Sequence, residues 1–117
     1  IHNMGSSCPY CMLWADGFNG VLNRINDRVA CALVSPDSPD HQNNFANSRG
    51  WKLDIYSGEG SAFIQDMGYQ EGEDYRPGIS TFCKENNDKI YHIAKEPFGP
   101  FDPFAVFGIY SLCFPMV

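Results

Sequence analysis

The hydrophobic positions of the chain first follow a helical spacing and later fall into short extended runs. Between Cys11 and Ile25 the apolar residues recur every three or four positions, which predicts an amphipathic helix. Ser6 or Ser7 is expected to cap this helix at its N-terminus. Pro9 then lies in the first turn, where the missing N–H of a proline costs little.

The middle of the chain predicts two strands separated by a polar helix. Residues 29–34 form a continuous apolar run, which is typical of a parallel strand buried on both faces. Ser38 is expected to cap a surface helix that begins at Pro39 and stops at Gly50. Residues 51–56 alternate around apolar side chains and predict a second strand.

The last third of the chain predicts a β-hairpin followed by a helix. Residues 79–83 and 89–94 are extended, apolar-rich runs on either side of a polar turn, as in an antiparallel hairpin. Pro77 stands just before the first of these strands. Residues 102–113 have the cap and the apolar spacing of a terminal helix.

Composition limits the size of the protein and the classes of partner it can have. The 117 residues are 44% hydrophobic, which predicts one domain spanning residues 1–117 with one core. The net charge of −6 and the lack of a Lys or Arg cluster argue against nucleic acid and anionic membranes as partners. No apolar run approaches the length of a membrane span. The cysteines are odd in number, and three of the five lie far apart in the sequence, which favours the reducing cytoplasm over a secreted disulfide framework.

The candidate chemistry is concentrated in Cys8-Pro9-Tyr10-Cys11, immediately before the amphipathic run. Two cysteines three residues apart at a helix start can form a disulfide, and the helix N-terminus favours the thiolate form. Cys8 is therefore the expected nucleophile and Cys11 the resolving thiol, while Pro9 and Tyr10 would shape a substrate groove. A structural pair or half of a metal site is the alternative. No further pair of ligands has a suitable spacing, so we expect neither a metal nor a cofactor.

The order of the predicted elements indicates an α/β protein with a thioredoxin-like arrangement, a central mixed sheet flanked by helices. In that fold a proline with a cis peptide bond stands before the first hairpin strand and beside the dithiol. Pro77 occupies this position, so we expect a cis bond there and a contact with the substrate groove. Arg76 would either steer an acidic partner or be solvated.

Several motifs make the family resemblance specific. The Cys8–Cys11 box resembles that of dithiol glutaredoxins, but the Gly-Gly pair of their glutathione site is absent. The segments 14–20 (Trp-Ala-Asp-Gly-Phe-Asn-Gly), 49–51 (Arg-Gly-Trp) and 77–82 (Pro-Gly-Ile-Ser-Thr-Phe) are similar to those of an uncharacterised bacterial thioredoxin-like family, the DUF899 type. The resemblance implies a strand upstream of His2 that the sequence does not contain. We therefore expect a homodimer or an altered sheet edge to compensate.

The remaining candidate residues have ordinary structural interpretations. Cys31, Cys83 and Cys113 are expected to be small core residues rather than ligands. Asp16 is expected on the helix surface, with a role as proton acceptor for the dithiol as the alternative. His2 is close enough in sequence to the box to assist proton transfer, or else belongs to a frayed terminus.

These observations lead to two hypotheses from different classes. The first is a thiol–disulfide oxidoreductase that uses Cys8 and Cys11 on protein or small-molecule disulfides. The second is a non-enzymatic thioredoxin-fold module that binds a partner through the groove around Pro77.

Overall fold

The strands of the protein are arranged on both sides of its first few residues. A computed structural model describes residues 1–99. His2 pairs in parallel with Val34 on one side and antiparallel with Gly78 on the other. The His2 N–H donates to the Gly78 carbonyl at 2.7 Å, and the Gly78 N–H donates to the His2 carbonyl at 3.1 Å. Residues 1–3 therefore join two strand pairs into one mixed sheet.

The two pairs differ in direction. Strand β1 (Ala32–Ser35) runs parallel to β2 (Asp54–Ser57), as the sequence predicts for two strands joined by a helix. Strands β5 (Gly78–Lys84) and β6 (Ile90–Pro97) form the antiparallel hairpin. Between these pairs in the chain, β3 (Gln70–Glu71) and β4 (Asp74–Tyr75) make a separate two-residue ladder. The order across the mixed sheet is β2, β1, residues 1–3, β5 and β6.

The first strand differs from its sequence prediction in position and burial. It starts three residues later than expected, and Val29 is exposed. Leu33 and Ser35 are buried, whereas Ala32 is exposed and Val34 is half-buried. The expectation of burial on both faces is wrong, because the two buried side chains, Leu33 and Ser35, lie on the same face of the strand.

Within residues 1–99 four helices flank these strands: α1 (Pro9–Gly20), α2 (Leu22–Asn26), α3 (Pro39–Arg49) and α4 (Phe63–Asp66). The single helix expected to continue to Ile25 is interrupted at Val21, whose N–H donates to the Phe18 carbonyl at 3.2 Å. The limits of α3 are confirmed. Ser38 accepts the N–H of His41 through its hydroxyl oxygen at 3.3 Å, and Gly50 adopts a left-handed φ of 68° that ends the helix.

Helix α1 supplies residues to both clusters of the core. One cluster contains Cys11, Trp14 and Phe98. The other contains Ala15 from the same helix together with Leu22, Leu33 and Leu53. The start of α1 is thus fixed on one side by the residue that follows β6 and on the other by the parallel strand pair.

The hairpin is confirmed, but most of it lies outside the core. A bulge shifts the register between Thr81 and Phe82, and from Thr81 onward both strands are exposed until Phe98. Cys83 is consequently exposed, so the expectation that it fills the core is wrong. Gly78 lies where β5 passes the Tyr69 ring, which an added Cβ would overlap.

Two sequence predictions lie outside the described residues: the terminal helix 102–113 and the burial of Cys113. Within residues 1–99 no helix has both the length and the apolar character needed to cross a bilayer.

Candidate functional site

The first cysteine of the box is itself the residue that caps α1. Cys8 has an extended backbone, and its sulfur accepts the N–H of Cys11 at 3.3 Å. Neither Ser6 nor Ser7 holds that position, so the expected serine cap is wrong. Pro9 occupies the first turn as predicted. The half-buried Cys8 sulfur therefore lies at the positive end of a 12-residue helix.

Cys11 lies one turn further on and is fully buried. The backbone N–H of Met4 donates to its sulfur at 3.4 Å. Burial raises the pKa of the Cys11 thiol, and the neighbouring Cys8 thiol adds to this effect, while the Met4 N–H opposes it. Both cysteines are free thiols. The box thus combines one accessible sulfur with one that is withdrawn from solvent.

A tight turn before the box holds these sulfurs in place. Asn3 accepts the N–H of Gly5 at 2.8 Å through Oδ1 and donates from Nδ2 to the Cys11 carbonyl at 3.2 Å. Gly5 has a φ of 108°, and an added Cβ would approach Oδ1 of Asp37 to 2.9 Å. Glycine is required here both for the backbone conformation and for the close passage of Asp37.

The turn is also anchored to the end of β1 and the start of α3. The Ser6 N–H donates to Oδ2 of Asp37 at 2.9 Å, and the Ser6 hydroxyl is 2.6 Å from Nε2 of His41. Sequence reasoning missed Asn3, Asp37 and His41 as neighbours of the box. One signal was available, because Asn3 and Gly5 have the spacing of an Asx turn. Nothing local pointed to Asp37 or His41.

The cleft behind this turn is small. It is lined by Asn3, Ser6 and Asp37 among others and encloses about 10 Å³. This is room for about one water molecule. Neither Cys8 nor Cys11 lines this cleft.

Pro77 reaches the box indirectly. Its carbonyl accepts the N–H of Phe98 at 3.0 Å, and Phe98 packs in the cluster that contains Cys11. No peptide bond in the described part of the chain is cis, so the expected cis bond at Pro77 is wrong. The chain is held on both sides of the proline, because Arg76 N–H donates to the Tyr69 carbonyl and Gly78 pairs with His2. The trans form, which is also the intrinsically favoured one, fits between these anchors.

The two other groove candidates lie at the surface. Tyr10 is exposed and tilts against Trp14 with ring centroids 6.2 Å apart. Arg76 is exposed and forms an ion pair with Glu71 at 3.2 Å. Both partners of that pair are largely in solvent, where such pairs contribute little to stability.

The Asp16 side chain forms hydrogen bonds with residues that lie far from the box in sequence. Its carboxylate accepts hydrogen bonds from the Arg49 guanidinium and, at 2.6 Å, from the indole N–H of Trp51. The hydrogen bonds from Arg49 lower the pKa of the Asp16 carboxyl. Asp16 is therefore a structural link between α1 and the turn after α3, and its described partners do not include either cysteine of the box.

The other sequence candidates are placed apart from the dithiol. Cys31 is half-buried and packs against the cluster of Ala15 and Leu33, and burial raises the pKa of its thiol. His2 is buried in the sheet, 2.9 Å from the Ser80 hydroxyl and stacked on Tyr69. It belongs to an ordered sheet position rather than to a frayed terminus. Among residues 1–99 no three His, Cys, Asp or Glu side chains form a group able to hold a metal ion.

The described residues define a mixed α/β protein that carries two free thiols, Cys8 and Cys11, at the start of its first helix. One family, described as a bacterial protein of unknown function (DUF899), has a sequence model that matches residues 3–96. The chain belongs to this family. The match includes the whole box and extends into the last described strand. A search of curated proteins and a search of solved structures each found no match.

Proposed function

We propose that this protein is a thiol–disulfide oxidoreductase with a thioredoxin-like fold, in which Cys8 is the nucleophile and Cys11 the resolving thiol. The observation that carries the proposal is the hydrogen bond from the Cys11 N–H to the Cys8 sulfur at 3.3 Å. It puts the accessible sulfur at the positive end of α1, with a backbone N–H directed at it. The second sulfur lies one turn away, within reach for ring closure.

The order of the segments supports the thioredoxin-like part of the proposal. A segment that leads into the box pairs with a parallel strand on one side and an antiparallel hairpin on the other. Pro77 stands before the hairpin, as such a fold requires, although its peptide bond is trans. In this chain the first strand of that arrangement consists only of residues 1–3.

The reaction has two exchange steps. The Cys8 thiolate attacks one sulfur of the substrate disulfide, forms a mixed disulfide and releases the first substrate thiol. Cys11 then loses its proton and attacks the Cys8 sulfur, which closes the Cys8–Cys11 disulfide and releases the second substrate thiol. Two electrons pass from the protein dithiol to the substrate. A thiol reductant, present in a reducing cytoplasm, returns the box to the dithiol form.

Protein disulfides or small-molecule disulfides at the surface are the proposed substrates. The cleft behind the box has room for about one water molecule. The four described cysteines are free, which fits a cytoplasmic location. The net charge of −6 makes nucleic acid an unfavourable partner.

The test is reduction of insulin or DTNB by the wild type and by three cysteine variants. Cys8→Ser should abolish turnover, and Cys11→Ser should trap the mixed disulfide on Cys8. Cys83→Ser is the matched control, because Cys83 is an exposed thiol outside the box. Turnover by Cys8→Ser equal to that of the wild type would overturn the proposal.

The alternative is a thioredoxin-fold module that binds a partner without redox turnover. It predicts that the wild type fails to reduce disulfides while Cys8→Ser and Cys11→Ser retain the partner.

The homodimer remains a prediction as well. Strands β2 and β6 are at the ends of the described sheet, so either could pair with a second copy, and light scattering measures the mass directly.

A further inference from the structure

We propose that Asn3 is a positioning residue for the second exchange step, in which Cys11 attacks the mixed disulfide on Cys8. This inference rests on the proposed function. It goes further by assigning a task to a buried residue that lies five positions before the box.

The Asn3 side chain is 6% exposed and has one orientation that satisfies its contacts. The amide oxygen accepts the Gly5 N–H at 2.8 Å, while the amide nitrogen donates to the Cys11 carbonyl at 3.2 Å. Exchanging the two atoms would set a donor against a donor and an acceptor against an acceptor. Asn3 therefore ties the turn of residues 3–5 to the first turn of α1.

The link made by Asn3 also holds Met4, which carries the hydrogen-bond donor to the Cys11 sulfur. The N–H of Met4, between Asn3 and Gly5, lies 3.4 Å from the Cys11 sulfur. That sulfur is fully buried, so it acquires negative charge only at a large desolvation cost. A fixed backbone donor offsets part of this cost when Cys11 ionises to attack. Cys8 uses a different donor, the Cys11 N–H, so the first step does not depend on Met4.

The electrostatic surroundings of Cys11 make the effect measurable. In the described part of the chain, Cys8 is the titratable group that acts on Cys11. Once Cys8 is in a mixed disulfide, it carries no charge. The pH dependence of the second step then reports the ionisation of Cys11 and the support it receives from Met4.

The experiment follows the reaction of the full chain with DTNB by rapid quench and peptide mass spectrometry. The peptide containing the box distinguishes free thiols, the Cys8 adduct and the Cys8–Cys11 disulfide, independently of the other cysteines. In Asn3→Ala, closure of the disulfide should slow about tenfold, which is the effect of losing one well-placed hydrogen bond. The pH midpoint of disulfide closure should rise, while the rate at which the Cys8 adduct forms should stay within about twofold of wild type.

Two further variants complete the design. Asn3→Asp keeps the acceptor for Gly5 but loses the donor to Cys11, so it should also slow closure, and it serves where Asn3→Ala does not fold. Gln42→Ala removes a side chain of similar burial that bonds to Ser35 instead, and it should slow neither step.

The outcomes separate the inference from the function on which it rests. If the wild type forms neither the Cys8 adduct nor the disulfide, the proposed oxidoreductase function fails. If the wild type shows both steps and the Asn3 variants close the disulfide at the wild-type rate and pH midpoint, only the role of Asn3 is overturned. Equal slowing of both steps in the Asn3 variants and in Gln42→Ala also overturns it, because that pattern reflects a general loss of structure.

Discussion

The indole N–H of Trp51 donates to Oδ1 of Asp16 at 2.6 Å, and the same oxygen accepts a hydrogen bond from Nε of Arg49 at 3.0 Å. These residues come from two motifs separated by more than thirty positions. One motif lies on α1, and the other spans the end of α3 and the turn that follows it. The carboxylate therefore fixes the helix that carries the dithiol against the C-terminal end of α3.

Asp16→Asn should lower the free energy of unfolding by about 1 kcal/mol at neutral pH, because it weakens a charge-assisted pair at a partly exposed site. The pKa of this carboxyl is lowered in the folded state. The stabilisation is therefore present above the unfolded pKa of about 4 and is lost as the pH falls below it. Urea denaturation at pH 7 and at pH 3 measures both effects.

Asp27→Asn is the matched control for this prediction. Asp27 pairs with Arg24 at 3.8 Å, and both side chains are largely in solvent, so its removal should change stability by less than about 0.5 kcal/mol. Asp16→Asn should also leave the rate of Cys8 modification within about twofold of wild type. A loss of Cys8 reactivity in Asp16→Asn would instead support a role of Asp16 in proton transfer at the dithiol.

The two cysteines of the box should differ sharply in reactivity. Iodoacetamide should modify Cys8 and Cys83 well before Cys11, because Cys11 is fully buried and its thiol pKa is raised. We expect Cys11 to react at least about tenfold more slowly than Cys83, as measured by peptide mass spectrometry over time. Modification of Cys11 at the rate of Cys83 in the folded protein would contradict the observed burial.

His2 should make the protein sensitive to acid. Burial lowers the pKa of His2 to about 4. Between pH 6.5 and pH 4 the unfolded chain binds a proton that the folded chain does not, so stability falls as the pH is lowered through this window. The shift corresponds to at most about 3 kcal/mol, and the loss is complete near pH 4.

Replacement by phenylalanine isolates this contribution. His2→Phe keeps a ring to stack on Tyr69 and should flatten the stability curve between pH 6.5 and 4, although it leaves Ser80 without its histidine partner. The charge of His92 adds a smaller contribution to the low pKa of His2, so His92→Phe should keep most of the wild-type slope. Chemical denaturation across the pH range compares the three chains, and parallel curves for His2→Phe and the wild type would refute the assignment.

Two glycines should respond to alanine in opposite directions. Gly5→Ala combines a φ of 108° with an approach of the new Cβ to the Asp37 carboxylate, so it should cost about 2 kcal/mol or more. Gly20→Ala meets nothing within 4 Å at the end of α1 and should stabilise the protein by about 0.5 kcal/mol. Thermal unfolding monitored by circular dichroism measures both. An unchanged stability in Gly5→Ala would contradict the geometry of the turn.

Local patterns were sufficient where neighbours in the chain determine the structure. The start of α3 at Ser38-Pro39 and its end at Gly50 follow from capping chemistry, and the hairpin follows from its two extended runs. The box at the start of α1 was also correctly located, because a proline in the first turn fixes that end of the helix. The wrong choice of cap came from treating Cys8 only as a reactive thiol.

Predictions that depended on distant partners were less successful. Apolar side chains favour burial equally in any position, so sequence could not show that β1 has one covered face or that Cys83 lies in an exposed hairpin. The cis bond expected at Pro77 rested on analogy with a known fold. That analogy could not show the backbone hydrogen bonds of Arg76 and Gly78, which hold the chain on both sides of the proline.

The sequence by itself determined the box, its place at a helix N-terminus and the mixed α/β class, because each follows from residues close together in the chain. Tertiary structure alone decided that Cys8 is accessible and Cys11 buried, and that Met4 donates to the inner sulfur. It also brought Asp37 and His41 to the turn before the box. The reason is physical: burial and hydrogen bonding at a sulfur depend on which distant strands and helices pack around it, and no local pattern specifies that packing.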